Sequence, residues 1–286
     1  MNAKILNFFL IFISISLYSQ NHRFIYEYSF KMDSLNKNIS EKEIMNLDIT
    51  KEGSNFYSNE KFISDSLTNA EFKKAEAIKS TNIDLGKIKK NPKVGFSITK
   101  KYPDFQTVLH TSISGDPYAI EENEKITWNI LPETKEIEGI KVQKATTNFI
   151  GRKWIAWFAD EIQFQDGPYK FYGLPGLILS LEDVNGDHIF KFVGSKKLNY
   201  SPVLNNNLGE KELPISSKKF KELWKEYLND PSKKMRQLLS DSSIQLKMYD
   251  ASGKELSPSE IIRNKEKQAK ERVKKTNNFL DLKLYK

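Results

Sequence analysis

The densest run of chemically capable side chains lies between residues 152 and 166. There Arg152, Trp154 and Trp157 are followed by the carboxylates of Asp160, Glu161 and Asp166. Paired carboxylates beside tryptophans are the equipment of a glycoside hydrolase: one carboxyl protonates the leaving oxygen while the other attacks or activates water. Adjacency in sequence does not fix their separation in space, so core aromatics flanked by surface charge remain the competing account. No Gly-x-Ser-x-Gly elbow is present for a serine nucleophile. Cysteine is absent, which removes disulfides, thiolate metal sites and cysteine nucleophiles. The three histidines, His22, His110 and His188, are far apart, so neither a histidine-rich metal site nor a cofactor is expected.

Two further strings invite a ligand. Asp183, Asn185 and Asp187 alternate like the start of a calcium loop, but the sixth position is His188 and the twelfth is Gly194, where such a loop needs glycine and glutamate. Asn185-Gly186 between two alternating runs instead predicts a two-residue type I′ hairpin turn. Pairing Val184 with Asp187 places Leu181 opposite Phe190 and Leu179 opposite Phe192, with His188 across from Asp183 as a surface pair. Gly173-Leu174-Pro175-Gly176 could cradle a phosphate, yet no Lys-Ser or Lys-Thr follows it and a strand, not a helix, comes next. Proline at i+1 and glycine at i+2 predict a type II turn with positive φ at Gly176, and glycines also admit close approach of a ligand or partner.

The string GLPGLI, residues 173–178, resembles the name-giving motif of the GLPGLI family of exported Bacteroidetes proteins. The similarity extends upstream through Trp128-Asn129-Ile130, Gly139, Gln143-Lys144-Ala145-Thr146, Phe149, Gly151-Arg152, Ala156-Trp157-Phe158, Glu161-Ile162 and Asp166-Gly167-Pro168, and spans roughly residues 125–193. Some members carry cysteines around the positions of Val142 and Thr147, so any disulfide formed there is missing here. The family is defined by motif rather than activity, and the resemblance carries over no catalytic residue. It marks Arg152, Trp157, Gly167, Pro168, Gly173, Leu174, Pro175 and Gly176 as candidate binding residues.

These residues need elements to position them. Phe24, Tyr26, Tyr28 and Phe30 alternate strictly, the period of a strand with one buried face. Strand-like runs recur over 94–102, 105–113, 125–131, 140–150 and 153–159, with a turn at Lys51-Glu52-Gly53. Residues 60–91 read as a polar insertion with a short helix near 69–78. Trp154 and Trp157 have opposite strand parity, which predicts a strand apolar on both sides, as in a strongly curved or covered sheet. Beyond Pro202, Phe220, Leu223, Trp224, Tyr227 and Leu228 recur at helical spacing behind a Ser216 or Ser217 cap. Asp230-Pro231 predicts the start of a second helix. Ser257-Pro258-Ser259-Glu260 is a capping box opening a lysine-rich helix to about Thr276, with too few apolar positions to be more than lightly buried.

The address is at the front. Residues 1–20 combine Lys4, an apolar run over 5–17 and small or polar residues at Ser16, Ser19 and Gln20, the layout of a signal peptide. The run is short of the roughly 20 residues of a membrane span, and no cysteine follows it for a lipid anchor. The formal charge of +8 raises nucleic acid as a partner, but export argues against it. Lysines interleaved with acids, as in Glu266 with Lys270 and Glu271 with Lys275, read as a solvated face, with anionic lipid or polysaccharide as the other use.

The expectation is an α+β chain: a signal peptide over 1–20, a β-rich region with a strongly curved antiparallel sheet over 21–200, and a helical part over 201–286 packed on or beside it. The function that fits is an exported cell-envelope binding, carrier or interaction module, non-catalytic, sheltering an apolar ligand or docking an outer-membrane protein, with the tryptophans and the GLPG turn lining the site. The alternative is an envelope hydrolase using Asp160, Glu161 or Asp166.

Overall fold

A computed structural model describes residues 21–80, 91–122, 124–202, 211–241, 248–250 and 252–286. The expected signal segment, residues 1–20, lies outside the described residues. Alternation in the first strand organises everything that follows. In β1 (Asn21–Phe30) the rings of Phe24, Tyr26, Tyr28 and Phe30 are all buried on one face. Each such ring removed from water contributes about 1.5–3 kcal/mol before its ordering entropy is subtracted. β1 sits mid-sheet, antiparallel to both β2 (Glu41–Ile49) and β11 (His188–Leu198).

The other strands are β3 (Gly53–Ser58), β4 (Ser97–Lys101), β5 (Gln106–Ile113), β6 (Asp116–Glu122), β7 (Asn129–Ile137), β8 (Ile140–Phe149), β9 (Arg152–Ala159), β10 (Leu177–Asp183) and β12 (Leu213–Ser216). Together they form one 12-stranded sheet in the order β12-β6-β5-β4-β3-β2-β1-β11-β10-β9-β8-β7, which is not closed. Every pairing is antiparallel except β12 on β6, which is parallel, so the expected purely antiparallel sheet is corrected at one edge. The strands at β6 and β12 carry no clean alternation of apolar residues, and the expected strand over 125–131 is displaced to β7.

The helices are α1 (Asn59–Ala77), α2 (Ser217–Asn229), α3 (Lys233–Ser240), α4 (Pro258–Lys275) and α5 (Leu282–Tyr285). The polar insertion forms a longer helix than expected, α1, capped by Ser58. Residues 81–90 of that insertion lie outside the described residues. Ser216 caps α2, whose Phe220 and Tyr227 are buried while Leu228 at the end of the stripe is exposed. Ser257 and Glu260 form the capping box of α4, where Ile261 alone is buried. Asp230 does not cap α3. That helix begins at Lys233 behind Ser232, and the Asp230 carboxylate binds Arg236 instead.

The hairpin register is as expected, with Leu181 opposite Phe190, but its turn is not type I′. Gly186 N–H donates to Asp183 O at 2.8 Å, and only Gly186 has positive φ, at 61°. The Asp183 carboxylate accepts from the amides of Asp187 and His188 at 2.7 and 2.8 Å and draws the turn inward. Asp183 and His188 are therefore both buried, not a surface pair.

The segment 160–176 between β9 and β10 crosses the buried face of the sheet. In a flat sheet β4 would lie five strand spacings, about 24 Å, from β10. Yet Lys100 of β4 pairs with Asp166, and it also donates to the carbonyls of Gly167 and Phe171 at 2.8 and 3.1 Å. Phe164 packs on Phe24 of β1, and Phe171 packs on Phe149 of β8 and Trp154 of β9. One segment thus touches strands from both halves of the sheet, which requires a strongly curled sheet.

Gly176 is not at positive φ, which corrects the type II turn. Its N–H donates to Leu174 O at 2.7 Å in a tighter turn over Pro175. The need for glycine is spatial: a Cβ there would lie 2.0 Å from Ala159 O. Gly173 is the strained position, with φ of 89° and open space around it. Gly176→Ala is therefore expected to cost about 3 kcal/mol and Gly173→Ala about 1 kcal/mol. Urea unfolding midpoints check this, and equal losses would reject the collision.

Candidate functional site

Three buried cations, themselves absent from its lining, tie together the chain segments that lie behind a cavity. Lys100 is one, and burial lowers its pKa against the opposing pull of Asp166. Tyr102 donates a second hydrogen bond to that carboxylate. Arg152, at the start of β9, donates to Asp183 at 3.0 Å, to Asn278 Oδ1 at 2.8 Å and to the carbonyls of Phe279 and Leu280. Lys170 donates to Glu122 of β6 at 2.6 Å and to Asp281 at 2.7 Å. Asp281 also caps α5 through the Leu284 amide. Buried charges are tolerated when paired and hydrogen-bonded, and each of these has a carboxylate and at least one further acceptor. Arg152 and Lys170 together fasten residues 278–284 to the sheet.

Above these tied segments, between the sheet and helices α2, α3 and α4, lies a cavity of about 880 Å³ that is open on one side. Phe30 and Leu109 come from the sheet, Tyr169 from the crossing segment, Trp224 from α2, Ala269 from α4 and Leu280 from the fastened tail. The volume falls in the range of small-molecule sites, about 300–1,000 Å³. His188 is part of the lining, with its Nδ1 2.7 Å from the Tyr28 hydroxyl. Tyr28 in turn stacks on Phe190 at 4.2 Å. Burial, then the Arg152 charge, pushes the His188 pKa down to about 3, against Asp187 and the backbone at Asn278 and Phe279, so the imidazole is neutral. Two residues of the lining, His188 and Trp224, each hold a ring nitrogen, Nε2 and Nε1, that is buried out of reach of water and has no hydrogen-bond partner among the described residues.

The sequence-marked residues fall elsewhere. None of Arg152, Trp157, Gly167, Pro168, Gly173, Leu174, Pro175 and Gly176 lines the cavity. Arg152 and Gly167 take part in the ion-pair frame beneath it. Pro168, Leu174 and Gly176 are buried, whereas Gly173 and Pro175 are exposed. Trp157 points to the opposite face from Trp154 and lies under the Lys135 ammonium, 4.1 Å from the ring centroid. The hydrolase carboxylates do not assemble. Asp160 and Glu161 are exposed, whereas Asp166 is fully buried against Lys100, without access to water or a glycosidic oxygen.

Lys100, Lys170, Tyr169 and the 278–284 tail went unread in the sequence. The one available signal was the apolar run Phe279, Leu280, Leu282, Leu284 and Tyr285 following a solvated helix, since a free tail has no use for such residues. Among the described residues no group of histidines and carboxylates could hold a metal ion, and no helix is long and apolar enough to cross a membrane.

A family model described as a protein of unknown function (Porph_ging) matches residues 150–180, the stretch from Arg152 through the GLPG turn. No curated protein matches the chain. Among solved structures the chain is similar to PNGF-II in its P21 and C2 crystal forms, at 14% and 13% identity and a TM-score of 0.49 in each. The similarity covers 72% of this chain and 33% and 32% of those, so this chain spans about a third of the PNGF-II length.

The buried imidazole makes the fold acid-sensitive. The folded His188 pKa lies below its ordinary value, so its contribution is complete above about pH 6.5 and is lost as pH falls toward 3, where unfolding takes up a proton. Partly buried His22 is shifted the same way. Between pH 6.5 and 4.5 stability is expected to fall by up to about 1.4 kcal/mol per pH unit for each such proton. Denaturant midpoints across that window should show a shallower slope in His188→Gln than in the parent, and an unchanged slope would reject the assignment.

Proposed function

We propose that this chain is a non-catalytic binding or carrier module of the cell envelope that shelters an apolar small molecule between its curved sheet and helices α2, α3 and α4. The observation that carries this reading is the cavity of about 880 Å³ with aromatic and aliphatic walls and a few polar side chains, Ser112, Lys265 and Arg272 among them, in its lining. An apolar cavity with a few placed polar groups is the usual form of a small-molecule site. The envelope location rests on the signal-like front of the sequence and the resemblance to exported proteins. On this reading seven of the eight motif residues serve the site as its frame, Trp157 lying on the opposite face: Arg152 and the segment around Gly167 hold the floor, and the turn over 173–176 sets the path of β10. An outer-membrane protein would then be the source or recipient of the cargo rather than its substitute.

Native mass spectrometry of the protein purified from its own host tests this. A retained small molecule is expected, and Ala269→Phe, which fills the cavity from α4, should cut its occupancy at least tenfold while circular dichroism stays unchanged. A bare mass in the parent that persists on incubation with apolar probes would overturn the carrier reading.

A further inference from the structure

The charge around the cavity is one-sided. Lys93 enters from the segment before β4, Lys234 from α3, and Lys265 and Arg272 from α4, while among the described residues the one acid in the lining is Asp281. That carboxylate is already engaged by Lys170 at 2.7 Å and by the Leu284 amide at 2.9 Å. Of the four cations, Lys234 pairs with Asp116, and Lys93 has Glu41 no nearer than 3.9 Å, both acids lying outside the lining. Among the described residues neither Lys265 nor Arg272 has a carboxylate within ion-pairing distance.

These two lie on one face of α4 with Ala269, at a spacing of four and then three residues, so a single helix face presents both charges to the opening. Arg272 donates to the Tyr227 hydroxyl at 2.9 Å, and the Tyr227 ring is 5.4 Å from that of Trp224. The guanidinium and the Tyr227 and Trp224 rings therefore belong to one wall. A guanidinium and an ammonium are both donors with positive charge, and together they match an anionic oxygen group. Phe30, Met32, Phe96 and Leu109 supply an apolar part of the lining.

We infer that the cavity selects a single-chain anionic amphiphile, its carboxylate or phosphate head on Arg272 and Lys265 of α4 and its chain against the sheet. This rests on the carrier reading and sharpens it to a class of cargo. Two sources offer that chemistry, a free fatty acid and a lipid-type phosphate monoester.

Calorimetric titration of the purified protein with dodecanoate, dodecyl phosphate and dodecanol separates the possibilities. Both anions are expected to bind about tenfold or more tightly than the alcohol at low salt, with the difference shrinking as salt is raised. The double variant Lys265→Gln, Arg272→Gln should lose that preference and keep its affinity for dodecanol. Each single variant, Lys265→Gln and Arg272→Gln, should lose part of that preference and likewise keep its affinity for dodecanol. Tighter binding of the phosphate than the carboxylate assigns a lipid-type phosphate, and the reverse assigns a fatty acid. Equal binding of anion and alcohol, unmoved by the variants, overturns the inference while leaving the carrier reading intact. Binding of none of the three to ligand-free protein overturns both.

Discussion

The structure depends on the ion pair between Lys100 and Asp166, buried where no water can screen it. Taking both charges out of water is costly, and the cost is offset only because every donor and acceptor finds a partner: two carbonyls for the ammonium, and the Tyr102 hydroxyl with the Gly167 amide for the carboxylate. Its effect is topological. It draws the segment between β9 and β10 across the sheet to β4, and a sheet of twelve strands that would otherwise splay is held in a curl around that segment. Tyr26 adds to the same tie, donating from β1 to Ile178 O at 2.9 Å.

Arg152 and Lys170 extend this frame to the helical part. Each is a buried cation with acceptors on two distant pieces of chain, and each counts residues 278–281 among them. The floor of the cavity is therefore a hydrogen-bonded platform, while its roof of α2, α3 and α4 rests on apolar contacts and a few polar ties, Arg272–Tyr227, Lys233–Glu226 and Lys234–Asp116 among them. A rigid floor beneath a roof with few polar ties is suited to admitting an apolar guest, because only the roof must yield.

Much of the fold could be read from local pattern. The alternation of β1, the hairpin register at Leu181 and Phe190, the Ser216 cap and the Ser257–Glu260 capping box are short-range regularities, and each is found in place. The candidate site was less legible, for a physical reason. Lys100 and Asp166 are 66 residues apart and Lys170 and Asp281 are 111 apart, and nothing in the composition around a lysine announces a carboxylate at that range. Gly176 shows how a right residue can have a wrong reason: its type suggested a left-handed turn, whereas it is the approach of Ala159 O that leaves no room for a Cβ. Asp183 and His188 read as surface polar residues because their buried partners, Arg152 and Tyr28, lie elsewhere in the chain.

A sheet that curls without closing keeps two edges, β7 and β12, and each exposes backbone groups able to recruit another strand. Both edges are spoiled for that purpose. β7 carries Pro132 at its register shift, followed by Glu133, Lys135 and Glu136, and β12 is four residues long with Pro214 in it. Proline offers no N–H to a newcomer, and a kinked, charged strand presents no straight template. The open curl thus carries its own protection against strand-to-strand aggregation at both ends, which lets the sheet stay open without becoming sticky.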